Sequence, residues 1–225
     1  MSIAKGAMAL GGVGSVAGGG FLAHSLMSQN NQKSALVRKL ESDKFTLLNF
    51  DTARTEAPDS SWKKILTSYS KLIQTKSELK IGDLALTEND QEGINKLKNA
   101  CSSILKVEEA SSDFTNNYKL ASKWCVEPIS VGDLLSKRGS TYLDTSDSAN
   151  KTKWTEVAKR YEVDKKASKN TLMSDVTWAD VTSENYDTNI GHLKTACNTR
   201  KSKNSHEDDF ERSLEEAQSW CVNHK

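Results

Sequence analysis

Two phrases near the middle of the chain, Leu-Lys-x-Ala-Cys and Trp-Cys-Val, return near its end with the same spacing between them. Aligned against itself at an offset of 96, the chain matches Leu97, Lys98, Ala100, Cys101, Asp113, Phe114, Ala121, Trp124, Cys125 and Val126 to Leu193, Lys194, Ala196, Cys197, Asp209, Phe210, Ala217, Trp220, Cys221 and Val222. Upstream the offset becomes 92, where Trp62 and Tyr69 answer to Trp154 and Tyr161. A fainter lead-in match, Leu40, Thr46 and Leu48 with Leu135, Thr141 and Leu143, runs at 95. The chain is therefore read as a leading segment, 1–33, followed by two copies of one unit, 34–128 and 129–225. A self-similar period means that one supersecondary unit is built twice.

Each copy has the period of helices. Trp62, Ile65, Leu66, Tyr69, Leu72 and Ile73 form a stripe of helical spacing after Asp59-Ser60-Ser61, which supplies N-cap residue types. Trp154, Val157, Ala158 and Tyr161 are its sparser partner. A second helix carries Ile94, Leu97, Cys101 and Leu105, matched by Ile190, Leu193 and Cys197, with Thr87 or Ser183 as the cap candidate. A third carries Phe114, Tyr118, Ala121 and Cys125, matched by Phe210, Leu214, Ala217 and Cys221, and starts at Asp113 or Asp209. The lead-ins SALVRKLESDKFTLLN and SVGDLLSKRGSTYLD predict a short helix and a turn before a short alternating phrase that can be extended. The expected fold is all-α: an N-terminal membrane-span helix, then two small helical units of about three helices each. Trp62, Tyr69, Leu97, Phe114 and Trp124, with Trp154, Tyr161, Leu193, Phe210 and Trp220, are the expected repeat core.

Cys101 and Cys125 are 24 positions apart, as are Cys197 and Cys221. Four cysteines allow three pairings, and a duplicated unit that keeps its own pair favours Cys101–Cys125 and Cys197–Cys221. The alternative is four buried free thiols acting as small hydrophobes, as a reducing compartment requires. Metal knuckles need close Cys-x-x-Cys spacing, which is absent. A cysteine nucleophile wants a histidine base, but His192, His206 and His224 all fall in the second copy and read as surface residues. No phosphate-binding glycine loop or nucleophile elbow is present. The shared polar positions are chiefly Lys98/Lys194 and Asp113/Asp209, the aspartates reading as N-caps. Catalytic, cofactor and metal residues are accordingly expected to be none.

The leading segment differs abruptly in composition. After Lys5 no charged residue occurs until Lys33, and seven glycines lie between Gly6 and Gly20. An uncharged run of this length reads as an uncleaved anchor, as a secretory signal cleaved near Ala23-His24-Ser25, or as a glycine-rich tail; the anchor is the leading expectation. Ala7, Gly11, Ser15, Gly19 and Ala23 recur every four residues, a small-residue stripe suited to helix–helix self-association in a membrane. Lys33, Arg38 and Lys39 follow the run, a charge distribution that does not favour export of what comes after it. The rest is polar, with a mean hydropathy of −0.62 for the whole chain. Lys and Arg number 31 against 30 Asp and Glu, which leaves no electrostatic footprint for nucleic acid.

The glycine- and alanine-rich leading span, the lead-in ending in Thr-x-Leu, the Trp…Tyr helix, the Leu-Lys-x-Ala-Cys phrase and the terminal Trp-Cys together resemble the large families of uncharacterised paralogous proteins of haemotropic mycoplasmas. The resemblance covers most of the chain on short motifs, and the two-unit form departs from the single unit of most such proteins. It implies a membrane-attached or surface protein of an antigenically varying set, with no established activity or cofactor. It also implies a cell without a periplasm, where disulfide formation does not follow from the usual bacterial compartments. The leading expectation is a non-enzymatic anchored protein, its units outside the cell, either antigenic or bound to a host component. The competing expectation is a cytoplasm-facing scaffold with free thiols.

Overall fold

The computed structural model describes residues 33–146 and 150–223. The expected anchor and its small-residue stripe lie outside the described residues, as does His224. Among the described residues no helix is long and apolar enough to cross a membrane.

The first copy contains α1 (Ala35–Ser42), α2 (Ser61–Leu72), α3 (Gly93–Ile104) and α4 (Phe114–Trp124), with a 3₁₀ turn at Ser77–Leu79. The second contains α5 (Val131–Lys137), α6 (Lys151–Lys166), α7 (Asp187–Lys201) and α8 (Phe210–Trp220). The all-α expectation holds for the described residues, but each copy has four helices and not about three. The fourth is the short helix that the lead-in spacing predicts. Ser34 and Ser130 accept from the backbone N–H of Val37 and Asp133 and so cap α1 and α5, whose Leu36, Val37 and Leu40, and Leu134 and Leu135, are buried. At eight and seven residues these helices are too short to form on propensity alone, and burial of one apolar face against the rest of the copy stabilises them.

Both lead-in helices stop in the same way. The N–H of Phe45 returns to Leu40 O and that of Lys44 to Glu41 O, and Ser140 and Gly139 repeat the pattern on Leu135 O and Ser136 O. This is the Schellman arrangement, which needs a left-handed residue. Gly139 supplies φ +82° at no steric cost, whereas Lys44 adopts φ +71° with a side chain attached. The alternating phrases that follow then make single antiparallel bridges, Leu47 with Val126 and Tyr142 with Val222. The Thr-x-Leu phrase is thus bonded directly to the Trp-Cys-Val phrase. Leu48 N–H donates to Cys125 O and Glu127 N–H to Thr46 O; Leu143 and Asn223 do the same on Cys221 O and Thr141 O.

Ser60 caps α2 as expected, its hydroxyl accepting from Lys63 N–H. Thr87 and Ser183 do not cap α3 and α7, whose N-cap positions are Glu92 and Tyr186, neither with a side-chain bond. Asp113 and Asp209 stand at the N-caps of α4 and α8, but neither carboxylate bonds the helix N–H groups. Asp209 instead pairs with Lys203 at 3.2 Å. The closest helix pairings all fall within one copy: α1 with α4 and α3 with both α2 and α4 in the first, and α5 with α7 and α8, α6 with α7 and α7 with α8 in the second.

Candidate functional site

The interior of each copy is built around the repeated aromatic residues. Trp62, Tyr69, Leu97 and Trp124 are buried, as are Trp154, Tyr161, Leu193, Phe210 and Trp220; Phe114 is only partly buried. Every buried indole N–H finds a backbone carbonyl. Trp62 donates to Asn49 O and Trp154 to Asp144 O, both at 2.8 Å, while Trp124 donates to Leu79 O at 2.9 Å and Trp220 to Thr171 O at 2.7 Å. The acceptors are related by the same offsets, 95 and 92, as the sequence around them. Edge-on contacts between Tyr69 and Trp124, with ring centroids 5.2 Å apart, and between Tyr161 and Trp220, at 4.8 Å, join α2 to α4 and α6 to α8. Burial pushes the Tyr161 hydroxyl up to about 12, so it stays a donor, to Met173 O.

The cysteines belong to the same buried core. Cys101 on α3 is bonded to Cys125 at the end of α4, with Cα atoms 5.6 Å apart, and Cys197 on α7 to Cys221 at the end of α8, at 5.5 Å. All four are fully buried. Each bridge fixes the end of a helix at the cysteine whose own carbonyl receives the lead-in strand, so bridge and strand pairing meet at one residue.

The shared lysine has a role that its sequence position did not reveal. Lys98 is fully buried on α3, and its ammonium donates to Asp51 O at 2.7 Å and to Glu56 Oε1 at 2.8 Å. Lys194, at the matching place on α7, donates to Ser146 O at 2.7 Å, again 95 positions beyond its counterpart carbonyl. Each lysine holds the base of the loop that leaves the lead-in strand. Those loops, DTARTEAPDSS and DTSDSANKTK, share no residue in register at the offset of 95 that their carbonyls follow. Substituting Lys98→Met is expected to cost about 3 kcal/mol, because Glu56 is left buried without its partner. Urea denaturation reads the loss.

The second copy adds a buried charge network that the first lacks. Arg200 donates through Nε to Glu216 Oε2 at 2.6 Å, and through its two terminal nitrogens to Asp175 at 3.0 and 2.6 Å. Arg212 closes on the other oxygen of Glu216 at 2.8 Å. Burial opposes the Arg200 cation, but the bonds to Asp175 and Glu216 outweigh it and raise its pKa. In the first copy the matching positions are Ile104 and Leu120.

Several polar contacts cross between the copies, beside a hydrophobic core whose buried residues come from both. Lys76 pairs with Asp208; Lys123, fully buried, donates to Glu207 O and lies 3.4 Å from Glu211; Arg138 donates to Asp43 O at 3.1 Å. His206 belongs to this joint and is not the surface residue expected: its Nδ1 is buried without a hydrogen-bond partner, alone in this respect among the described side chains. Burial, then Lys123 and Lys64 working against Glu207, push its imidazole below its ordinary value. His192 is partly buried, with Nδ1 on Thr177 O. A groove of about 360 Å³ opens beside the joint, lined by Thr46, Glu127, Pro128, Ile129, Asp133, Ser136 and Lys137. Among the described residues no group of three or more His, Cys, Asp or Glu side chains is placed to hold a metal ion.

Comparison with protein families, with curated proteins and with solved structures finds no match to this chain.

Proposed function

We propose that the protein is a membrane-anchored, non-enzymatic surface protein whose two disulfide-tied helical units display polar loops outside the cell, as an antigen or for binding a host component. The observation that carries this reading is the bridge buried at the same place in both copies, since disulfides form and persist in oxidising surroundings. The pattern of divergence supports it. Trp62/Trp154, Trp124/Trp220, Tyr69/Tyr161, the four cysteines and the loop-holding lysines persist between the copies, while the loops those lysines hold have diverged. A rigid interior beneath replaceable loops suits a protein selected for its outer face.

Thiol trapping on protein taken from native membranes tests the proposal, with alkylation before and after reduction followed by peptide mapping. Peptides linked through Cys101–Cys125 and Cys197–Cys221, and resistant to alkylation until reduced, are the expected result. Four cysteines alkylated without reduction would place the chain in a reducing compartment and favour a cytoplasm-facing scaffold instead. Protease treatment of intact cells checks the same point independently, with cleavage expected in the loops at 51–59 and 144–150.

A further inference from the structure

The polar contacts that cross between the two copies come from positions at which the copies differ. Lys76 and Lys123 of the first copy answer to Ser168 and Ser219 of the second, and Glu207, Asp208 and Glu211 of the second answer to Ser111, Ser112 and Thr115 of the first. His206 answers to Ala110. The residues that build a single copy are repeated; these are not. They belong to the meeting of unlike copies.

At this meeting the ammonium of fully buried Lys123 is bonded to the carbonyl of Glu207, the residue that follows the partly buried His206. Lys123, from the last turn of α4, and Lys64, from the exposed face of α2, both act on the charge of His206. Glu207 acts on it from its own loop, while Asp208 and Glu211 are engaged by Lys76 and Lys123, and Lys119 adds a further positive charge near Lys123. The buried Nδ1 has no acceptor that would stabilise a proton placed there.

We propose that this joint is an acid-responsive latch, in which protonation of His206 sets a second cation beside buried Lys123 and loosens the first copy from the second. The sign follows from the direction of the shift. With the joint closed, His206 holds its proton less tightly than the ordinary imidazole value of 6.5 that it regains when exposed. Closure is therefore unaffected by pH above about 6.5. Below it the closed state loses ground, by up to tenfold per pH unit, until pH passes below the lowered value of the closed form.

Hydrogen exchange on the full-length, oxidised chain measures this, corrected for intrinsic exchange rates between pH 7.5 and 5.5. In the native protein, protection of amides in 204–211 is expected to be constant down to about pH 6.5 and then to fall by up to tenfold per unit. In the His206→Ala variant, which copies Ala110, it is expected to stay level. Circular dichroism and the protection of α3 and α7 amides verify that the variant is folded; His206→Gln replaces it if it is not. A wild-type profile without a break near 6.5 would overturn the proposal. So would an equal fall in the variant, which would assign the response to Glu207, Asp208 or Glu211.

Discussion

Replacing Cys101 and Cys125 together with alanine is expected to lower the unfolding free energy by about 3.5 kcal/mol. The figure follows from the loop that the bridge closes, 24 positions in sequence, within the chain-entropy account of cross-links. Alanine is the appropriate replacement because both sulfurs are fully buried, and a serine hydroxyl would add a desolvation cost of its own. Since Cys197 and Cys221 enclose a loop of the same length, their replacement is expected to cost a similar amount. The loss should also appear locally. Without the bridge the last turn of α4 is free to fray, and with it the Cys125 carbonyl that receives Leu48. Guanidinium denaturation of the native protein, the two double variants and the fully reduced chain tests this. Equal stabilities with and without the bridges would show that native contacts alone hold the helices together.

The second large effect is expected from Arg200→Ile alone, a loss of about 3 kcal/mol, because it strands the buried Glu216 carboxylate with only the half-exposed Arg212 for a partner. Adding Glu216→Leu is expected to restore stability to the native value or above it. That pair of residues is what the first copy carries at Ile104 and Leu120, where Leu120 is buried. Removing one member of a buried ion pair leaves an uncompensated charge, whereas replacing both with well-packed apolar groups removes the desolvation cost along with the attraction. The duplicated chain thus supplies its own apolar design for the site. Thermal or urea unfolding of the single and double variants gives the coupling directly, and a double variant no more stable than Arg200→Ile would show that the network cannot be exchanged for apolar packing.

What could be read from the sequence depended on whether the signal was periodic along the chain or created only by folding. The stripe from Trp62 to Ile73 and the cysteines in phase with Leu97 and Ala121 were legible because helical spacing puts them on one face. The lead-in helices were half legible. Ser34 and Ser130 are plain cap residues, but two turns of apolar spacing do not separate a helix from a turn until something packs against it. Thr87 and Ser183 have the chemistry of caps without the placement, since the chain makes further turns before α3 and α7 begin. His206 was misplaced because a histidine with no counterpart in the other copy looks dispensable to the fold, whereas its Nδ1 is buried and Lys123 and Lys64 of the first copy act on its charge. The Arg200–Glu216 network left a trace that was available, a charge in the second copy wherever the first has Ile104 or Leu120. Lys98 and Lys194 left a plainer one, being a matched pair of lysines within otherwise apolar matches.

The two bridges also set how the chain would respond to a pull. Tension between the leading segment and the C-terminal end would open the single strand bridges at Leu47 and Tyr142 and then draw out the helices, but the backbone between bonded cysteines carries no load. Each oxidised copy withholds about 80 Å of extension, the reach of 24 residues at ~3.4 Å apiece. Reduction would release that length from both. Under a load that unfolds it, the reduced chain would extend about 160 Å further than the oxidised one.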